Sequence, residues 1–407
     1  METIYLDHNA TTRPADSVAA AMDEANRGLW ANPSSVHRLG QQARQRVELA
    51  REAVSKLIGG KPRALTFTSG GTESIKLALE GVVGGMCDGG EAVRLLTTRV
   101  EHAAVREQAE RMREGGAEVG WLTVDDAGRV VVEELAGLIN DERGAGCVTI
   151  VSVQWANNET GAVQPMDAIA DAVAAARSAG RRVIWHVDGK QWVGKASTDV
   201  ATGGYDLLTF AGHKFHGPKG VGVVWARRGV RLRAVQVGGP QEREKRGGTE
   251  NSVGLIGMGA AAEAAAAWLA DPAECDRLAG ERDRFERAVV AGAEAAGVAA
   301  RVNGGDVERL WNTSNVAFRG LGAEAILVGL SERGVCASAG AACSSGSLEP
   351  SPVLLAMGME AAWAHGSVRF SLSRETTVGE LEAAAVAVVE VVGGLGRLMP
   401  MGQTGGV

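Results

Sequence analysis

The sequence predicts an α/β fold with a mainly parallel, doubly wound sheet and a smaller α/β module, and three observations carry that prediction. Short apolar runs alternate with helical stretches through the first half of the chain. A polar cluster follows the carboxyl end of nearly every run, which is where open α/β sheets gather their ligands. Past Ser252 the alternation gives way to long alanine-rich and charged helices, then resumes on a smaller scale. At 407 residues, the chain exceeds what one compact core usually covers, so two domains are expected.

Composition narrows the class. Hydrophobic residues at 45% and charged residues at 22% describe an ordinary globular protein, and a net charge of -7 disfavours broad binding to nucleic acid or anionic membrane. The opening METIYLDHNATT lacks the apolar core of a signal peptide, no uninterrupted apolar stretch looks long enough to span a bilayer, and a cytoplasmic location is expected. Five cysteines, Cys87, Cys147, Cys275, Cys336 and Cys343, form no CxxC pair, which argues against a disulfide framework or a zinc site.

In chain order, Tyr5 to Thr12 reads as a polar turn after a small apolar patch. The stretch NPSS, Asn32 to Ser35, opens an amphipathic helix. Ala43, Val47, Ala50, Val54 and Leu57 recur at helical spacing, Ser34 or Ser35 is the expected N-cap, and Gly59 is the stop. His37 reads as polar surface at the helix start. From Ala64 to Gly81 a strand-like run, Leu65 to Thr68, passes through Ser69, Gly70, Gly71 and Thr72 into a helical one. Free backbone N–H groups, the positive end of the helix dipole and the Thr72 hydroxyl would make an anion cup; the alternative is a plain N-cap. The P-loop lysine is missing and GxGxxG is unmatched, which weakens nucleoside triphosphate and dinucleotide readings.

Strands follow at Val93 to Thr97, ending near Glu101 and His102; at Val148 to Val153, ending in Asn157, Asn158 and Glu159; and at Arg182 to Val187, ending in Asp188 and Gln191. A helix, Ile169 to Ser178, lies between the last two. An acidic residue straight after an apolar strand is costly without a cationic partner, so Asp188 is either a cap or the partner of a bound cation. The run Leu207 to Phe210 reads as a buried strand with Lys214 just past its end, bracketed by Gly212, Gly217, Pro218 and Gly220 and flanked by His213 and His216. A lysine held there is a candidate amine nucleophile toward an aldehyde cofactor. A phosphate cup, an amine, a strand-end carboxylate that keeps a pyridine nitrogen protonated and a histidine able to stack on a ring together describe a site for pyridoxal 5'-phosphate.

Further on, helices are expected over Gly259 to Ala270, Asp276 to Gly297 and Ala323 to Arg333, with strands over Leu310 to Phe318, Val335 to Ala337 and Ser367 to Leu372. Ser338 to Ser347 is nearly all Ser, Gly and Ala, the composition of a mobile loop, and Cys343 rides on it as a candidate nucleophile. Cys336, between Val335 and Ala337, reads as packing.

The segments YLDHNATT, NPSSVH, FTSGGTE, VEHAAV, ANNETG, HVDGKQ, GHKFHGPKG, RGGTEN and ACSSGSLEPS, in this order, resemble the NifS/IscS-like cysteine desulfurases of the class V aminotransferase group. The resemblance covers nearly the whole chain. It implies a fold-type I pyridoxal phosphate enzyme with a seven-stranded-type sheet, acting as a homodimer. Its large domain would span 16–260, and its small domain 1–15 with 261–407. By the same resemblance Lys214 would form the imine link to the cofactor, Asp188 would pair with the pyridine nitrogen and His102 would lie over the ring. Asn158 and Gln191 would face the ring's polar substituents; Gly71, Thr72 and His213 would serve the phosphate, and Thr249 would reach the phosphate of the neighbouring subunit. Arg369 and Asn32 would bind substrate, and Cys343 would carry the persulfide. Two departures from the family pattern stand out. Ala211 stands where serine is usual, and Ile75 and Lys76 replace paired asparagines. The implied reaction takes L-cysteine to L-alanine, with sulfur passed to an acceptor protein such as a scaffold for iron–sulfur assembly or a thiolation enzyme. A selenocysteine lyase, or another class V lyase or aminotransferase, is the alternative.

Overall fold

Buried apolar runs become the strands. The computed structural model describes residues 3–86, 91–340 and 349–398. Its strands are β1 (Ile4–Tyr5), β2 (Leu65–Thr68), β3 (Val93–Thr98), β4 (Glu118–Leu122), β5 (Val148–Gln154), β6 (Arg182–Asp188), β7 (Leu207–Ala211), β8 (Gly222–Ala226), β9 (Ala300–Val302), β10 (Thr313–Phe318), β11 (Val335–Cys336) and β12 (Ser367–Ser371). A seven-stranded sheet runs in the order β2-β8-β7-β6-β5-β3-β4. Pairings from β4 through β3, β5 and β6 to β7 are parallel, whereas β8 is antiparallel to both β7 and β2. Two reversals cancel, so β2 points the same way as β7. The carboxyl ends of β2, β3, β5, β6 and β7 therefore open on one edge of the sheet.

Both faces of this sheet are covered, so its central strands need not alternate. All of β5 and β7 is buried. One apolar layer joins Phe67, Val151, Val153, Trp185, Val187, Leu208 and Phe210 to the helices Arg38–Leu57 and Ser252–Leu269. The opposite layer packs Leu95, Ile150, Ile184 and Leu207 against the helices Gly71–Met86 and Ala103–Glu114. A separate core forms around the antiparallel sheet β12-β10-β9 and the two-stranded parallel sheet β1-β11. There Phe285, Phe318, Phe370 and Val388 meet from the helices Pro272–Ala295 and Val378–Leu398 and the sheet between them. The first strand of the chain thus pairs with residues more than three hundred positions later, Ile4 with Val335 and Tyr5 with Cys336.

Several boundaries differ from the sequence reading. The first long amphipathic helix begins at Arg38, and its cap is His37, whose Nδ1 accepts from the Gly40 N–H at 3.3 Å; Ser34 and Ser35 lie outside it. The strands β4 and β8 were not anticipated. Glu118–Leu122 is an edge strand with mostly half-buried residues and no clear alternation, and Gly222–Ala226 follows a glycine-rich turn whose punctuation masks the apolar run. The helix expected from Gly259 starts earlier, at Ser252, capped by Asn251 Oδ1 on the Gly254 N–H at 3.0 Å. By length and composition this helix could cross a membrane, contrary to the expectation that no stretch is long enough. Here half of it is buried within the protein, with Leu255, Met258, Ala261, Ala262 and Ala265 in the main core.

One buried ion pair braces the edge next to β2. Arg51 forks onto Glu242 through Nη2–Oε1 at 2.7 Å and Nη1–Oε2 at 2.9 Å, stacks over the Phe67 ring at 4.4 Å, and leaves Glu242 Oε2 to accept the Phe67 N–H at 2.8 Å. Glu242, Arg243 and Glu244 all sit at left-handed φ of 48°, 58° and 62°, an unfavourable run for residues with a Cβ. The bidentate pair is what holds this turn against its backbone preference.

Candidate active site

The common edge of the sheet builds the site. Asp188 ends β6 opposite Thr209 of β7, so the strand-end carboxylate and the turn after β7 are immediate neighbours. That turn, Gly212–Lys214, is one tight 3-10 turn, and Gly217 then returns against it, its N–H bonded to Gly212 O at 2.9 Å. A Cβ on Gly217 would lie 2.7 Å from Gly212 O, so only glycine permits the return. Lys214 is left projecting into the edge, where its Nζ donates to the carbonyls of Asn9 at 2.5 Å and Ala10 at 3.0 Å. Burial, and then the positive charges of Lys190 and Arg369, lower its pKa to about 7.

Asp188 is 3% exposed, accepts the Lys190 N–H at 3.0 Å on Oδ1 and pairs with Lys190 Nζ at 3.2 Å on Oδ2. Behind it, Glu101 is fully enclosed. Its Oε1 takes the Gln154 N–H at 2.8 Å, while burial, helped by the charge of Asp188, raises its pKa to about 8. His102 caps the helix Ala103–Glu114, with Nδ1 accepting the Ala104 N–H at 3.0 Å, and burial and the charge of Lys190 drop its pKa to about 3. The ring is therefore neutral, with its proton on Nε2.

At the carboxyl end of β2, the turn into the helix Gly71–Met86 is tied down by Glu73 and Ser74 rather than by Thr72. Glu73 Oε2 accepts the Ser69 N–H at 2.8 Å, and Ser74 bonds Thr68 and the Gly70 carbonyl. Thr72 stands exposed at the helix start beside Gly71. His213 lies across from them, with Nδ1 at 3.2 Å from Thr11 Oγ1 and a pKa lowered to about 4 by burial and then by Lys214. This leaves a helix N-terminus, a hydroxyl and a neutral imidazole facing one space.

Arg369 comes from β12. Its Nη2 pairs with Asp7 Oδ1 at 2.6 Å and its Nη1 donates to Asn158 O at 3.0 Å and Gly340 O at 3.3 Å. Asn9 ties the chain start into the same region, donating to Asn158 O at 3.2 Å and Thr313 Oγ1 at 2.9 Å. Gln191 is already engaged, donating to Asn9 O at 3.0 Å and accepting from Lys195 Nζ at 2.7 Å.

A cavity of about 470 Å³ gathers these groups. Its walls include Gly71, Thr72, His102, Asn158, Asp188, Gln191, His213, Lys214 and Arg369, all named from the sequence. Two are not brought to it. Thr249 lines a separate small hollow beside Arg246 and Ser69, and Asn32 is exposed on a turn where its Oδ1 accepts the Ser34 N–H at 2.8 Å. Cys343 lies outside the described residues. The structure adds Asn9, Arg106 and Lys190 to the walls and brings Glu159, noted at a strand end, into them. Lys190 stood within HVDGKQ, and the signal that could have found it is the same one that raised Asp188, a buried carboxylate needing a cation. Asn9 carried no such signal, because its role depends on pairing across the whole chain.

The walls suit a phosphorylated pyridine aldehyde. A carboxylate, an amine of lowered basicity and an anion cup face one another across the same space.

Comparison with known proteins gives the family. Residues 4–384 match the family model described as aminotransferase class-V. The chain is similar to cysteine desulfurase 2 of Trichormus variabilis, with 40% identity over 400 residues that cover 98% of this chain and 96% of that one. Among solved structures it is similar to a NifS-like protein, with a TM-score of 0.83 and 32% identity over 96% of this chain and 99% of the other. It is also similar to SspA in complex with cysteine, with a TM-score of 0.77 and 28% identity over 92% of this chain and 100% of that one.

Proposed function

The chain belongs to the aminotransferase class-V family and is a cysteine desulfurase, and from that premise we propose that it uses pyridoxal 5'-phosphate to convert L-cysteine to L-alanine, with the sulfur taken up by Cys343. The observation that carries this reading is the convergence of Lys214, Asp188, His102, Gly71 and Arg369 on one cavity. In the proposal Lys214 holds the cofactor through its amine, Asp188 keeps the ring nitrogen protonated and His102 covers the ring. Asn158 and Gln191 meet the ring's polar substituents, and Gly71, Thr72 and His213 receive the phosphate. Thr249 and the homodimer belong to the same proposal, as does the division into 16–260 and 1–15 with 261–407.

When bound, the cofactor supplies a conjugated cationic ring that takes up the electron pair left by the departing α-proton. The protein's own groups do the rest. Lys214, neutral over much of the physiological range because its pKa sits near 7, can attack a carbonyl carbon and can accept the α-proton. Arg369, in the cavity wall from β12, binds the substrate carboxylate with its planar fork. His102, with Nδ1 occupied by the Ala104 N–H, has Nε2–H to donate. The Cys343 thiolate then bonds to the substrate sulfur as the substrate's carbon–sulfur bond breaks. The electron pair stays with the carbon fragment, which takes a proton at its β-carbon, regains the α-proton from Lys214 and leaves as alanine. The persulfide passes its outer sulfur to an acceptor protein.

Purified protein supplied with the cofactor and L-cysteine should release alanine and load sulfur onto a thiol acceptor. Cys343→Ala should still bind the cofactor but lose acceptor loading; full-rate loading by that variant sinks the role given to Cys343.

A further inference from the structure

A second lysine occupies the site, and neither the bond-making amine nor the substrate clamp accounts for it. Lys190 is 8% exposed, two residues beyond Asp188, and pairs with that carboxylate at 3.2 Å. Its stem does not simply fold back. A Cβ built on Gly71 would stand 2.5 Å from Lys190 Cδ and 3.6 Å from the Ala211 methyl, so the aliphatic chain of Lys190 lies across the mouth of the cup at the start of the helix Gly71–Met86. The side chain thus spans the two ends of the cavity, its stem at the cup and its ammonium at the strand-end carboxylate.

The cup needs a cation. Its own groups are backbone N–H donors, the Thr72 hydroxyl and His213, which burial keeps neutral above about pH 4. Ala211 beside it offers only a methyl group. The cavity walls carry four cationic side chains, Arg106, Lys190, Lys214 and Arg369. Lys214 and Arg369 have roles already, and Arg106 stands one helical turn beyond His102. Only Lys190 has its stem at the cup.

We propose that Lys190 is the cation of the phosphate cup. This rests on the reading of the site as one for pyridoxal 5'-phosphate. With no ligand present, Lys190 neutralises Asp188. A ligand whose ring nitrogen takes over Asp188 frees the ammonium, and rotation about its last torsions carries it along the stem's existing path to the phosphate. A phosphate bound at a helix N-terminus then gains a charge-assisted hydrogen bond that the Ala211 methyl cannot give. The same residue serves as counter-ion in one state and ligand donor in the other.

Apoenzyme of the wild type, Lys190→Gln and Lys190→Arg is titrated with pyridoxal 5'-phosphate and, separately, with pyridoxal, which lacks the phosphate, following quenching of tryptophan fluorescence. Titrated about two pH units above the Lys214 midpoint of each protein, where its amine is free in all three, Lys190→Gln should weaken the phosphorylated ligand at least tenfold, leave pyridoxal unchanged or slightly tighter, and be largely rescued by Lys190→Arg. Equal weakening of both ligands, or tightening of both, overturns the proposal and leaves Lys190 as a counter-ion alone. If the wild type binds neither ligand, the pyridoxal phosphate reading itself fails, and this inference with it. A measurement on wild-type protein needs no variant to fold. Inorganic phosphate added to the apoenzyme should slow trace acetylation of Lys190 while leaving the exposed Lys61 unaffected, and unchanged labelling of Lys190 counts against the proposal.

Discussion

The amine of Lys214 should titrate near neutrality, and its pH profile can be read one residue at a time. Burial is the largest cause of its lowered basicity, followed by the charges of Lys190 and Arg369; Asp188 and Asp7 oppose them. At pH 8 a group with a pKa of about 7 is roughly 90% free amine, whereas an ordinary lysine at 10.5 is roughly 0.3% free, a ratio of about 300. The assay is competitive trace acetylation of the apoenzyme across about pH 5.5 to 11.5, a range that brackets both values, with Lys214 labelling quantified by mass spectrometry of its peptide and normalised to the exposed Lys61. The profile should rise through about pH 7. Removing the cation with the largest effect on it, by Lys190→Met, should move that midpoint upward. A wild-type midpoint close to 10 would refute the reasoning, because the enclosure and charge crowding at the strand end would then have no effect on the amine.

Three further outcomes follow from the same geometry. Arg369→Ala should raise KM for L-cysteine roughly 10- to 100-fold, the cost of about 1.5–3 kcal/mol for losing hydrogen bonds to a charged group, and Arg369→Lys should rescue only part of it. Initial-rate kinetics check this, and an unchanged KM removes Arg369 from the substrate site. Glu242→Ala should cost up to about 3–5 kcal/mol in urea unfolding, since it leaves the buried Arg51 guanidinium with only the half-exposed Glu48 at its Nε; a loss below about 1 kcal/mol would mean the pair contributes nothing beyond a surface salt bridge. Glu101 titrates near 8 when folded and near 4.5 when unfolded, so the native state holds an extra proton between these values. Stability from this group is fully present below about pH 4.5 and is lost as pH rises through about 8. Glu101→Gln should flatten the fall of unfolding free energy across that window, and an identical slope in wild type and variant contradicts the assignment.

Much of the sheet was legible because burial on both faces leaves continuous apolar runs such as Leu207–Ala211, and because polar residues just after a strand have few purposes other than ligands. The strand Gly222–Ala226 was not, since its neighbours are glycines that read as loop, and neither was Glu118–Leu122, an edge strand with weak patterning. In the cavity, Asp188 and Lys214 were visible from local sequence alone. Asp7 and Asn9 were not, because YLDHNATT reads as an isolated turn until β1 is seen paired with β11 and Asp7 bridged to Ser371. Lys190 was hidden for a different reason. A lysine two residues past an aspartate is unremarkable in sequence, and only its burial and the lie of its stem over Gly71 separate it from a solvated pair.

The hydrogen bond from the Asn9 N–H to Ser371 Oγ joins positions 362 residues apart, and the carbonyls of Asn9 and Ala10 hold the Lys214 ammonium. A nascent polypeptide therefore cannot finish this cavity until translation has passed β12, however early its central strands have collapsed. Reactive chemistry is withheld during synthesis, and a product cut short before β12 would keep its sheet and its lysine yet never acquire a working cleft.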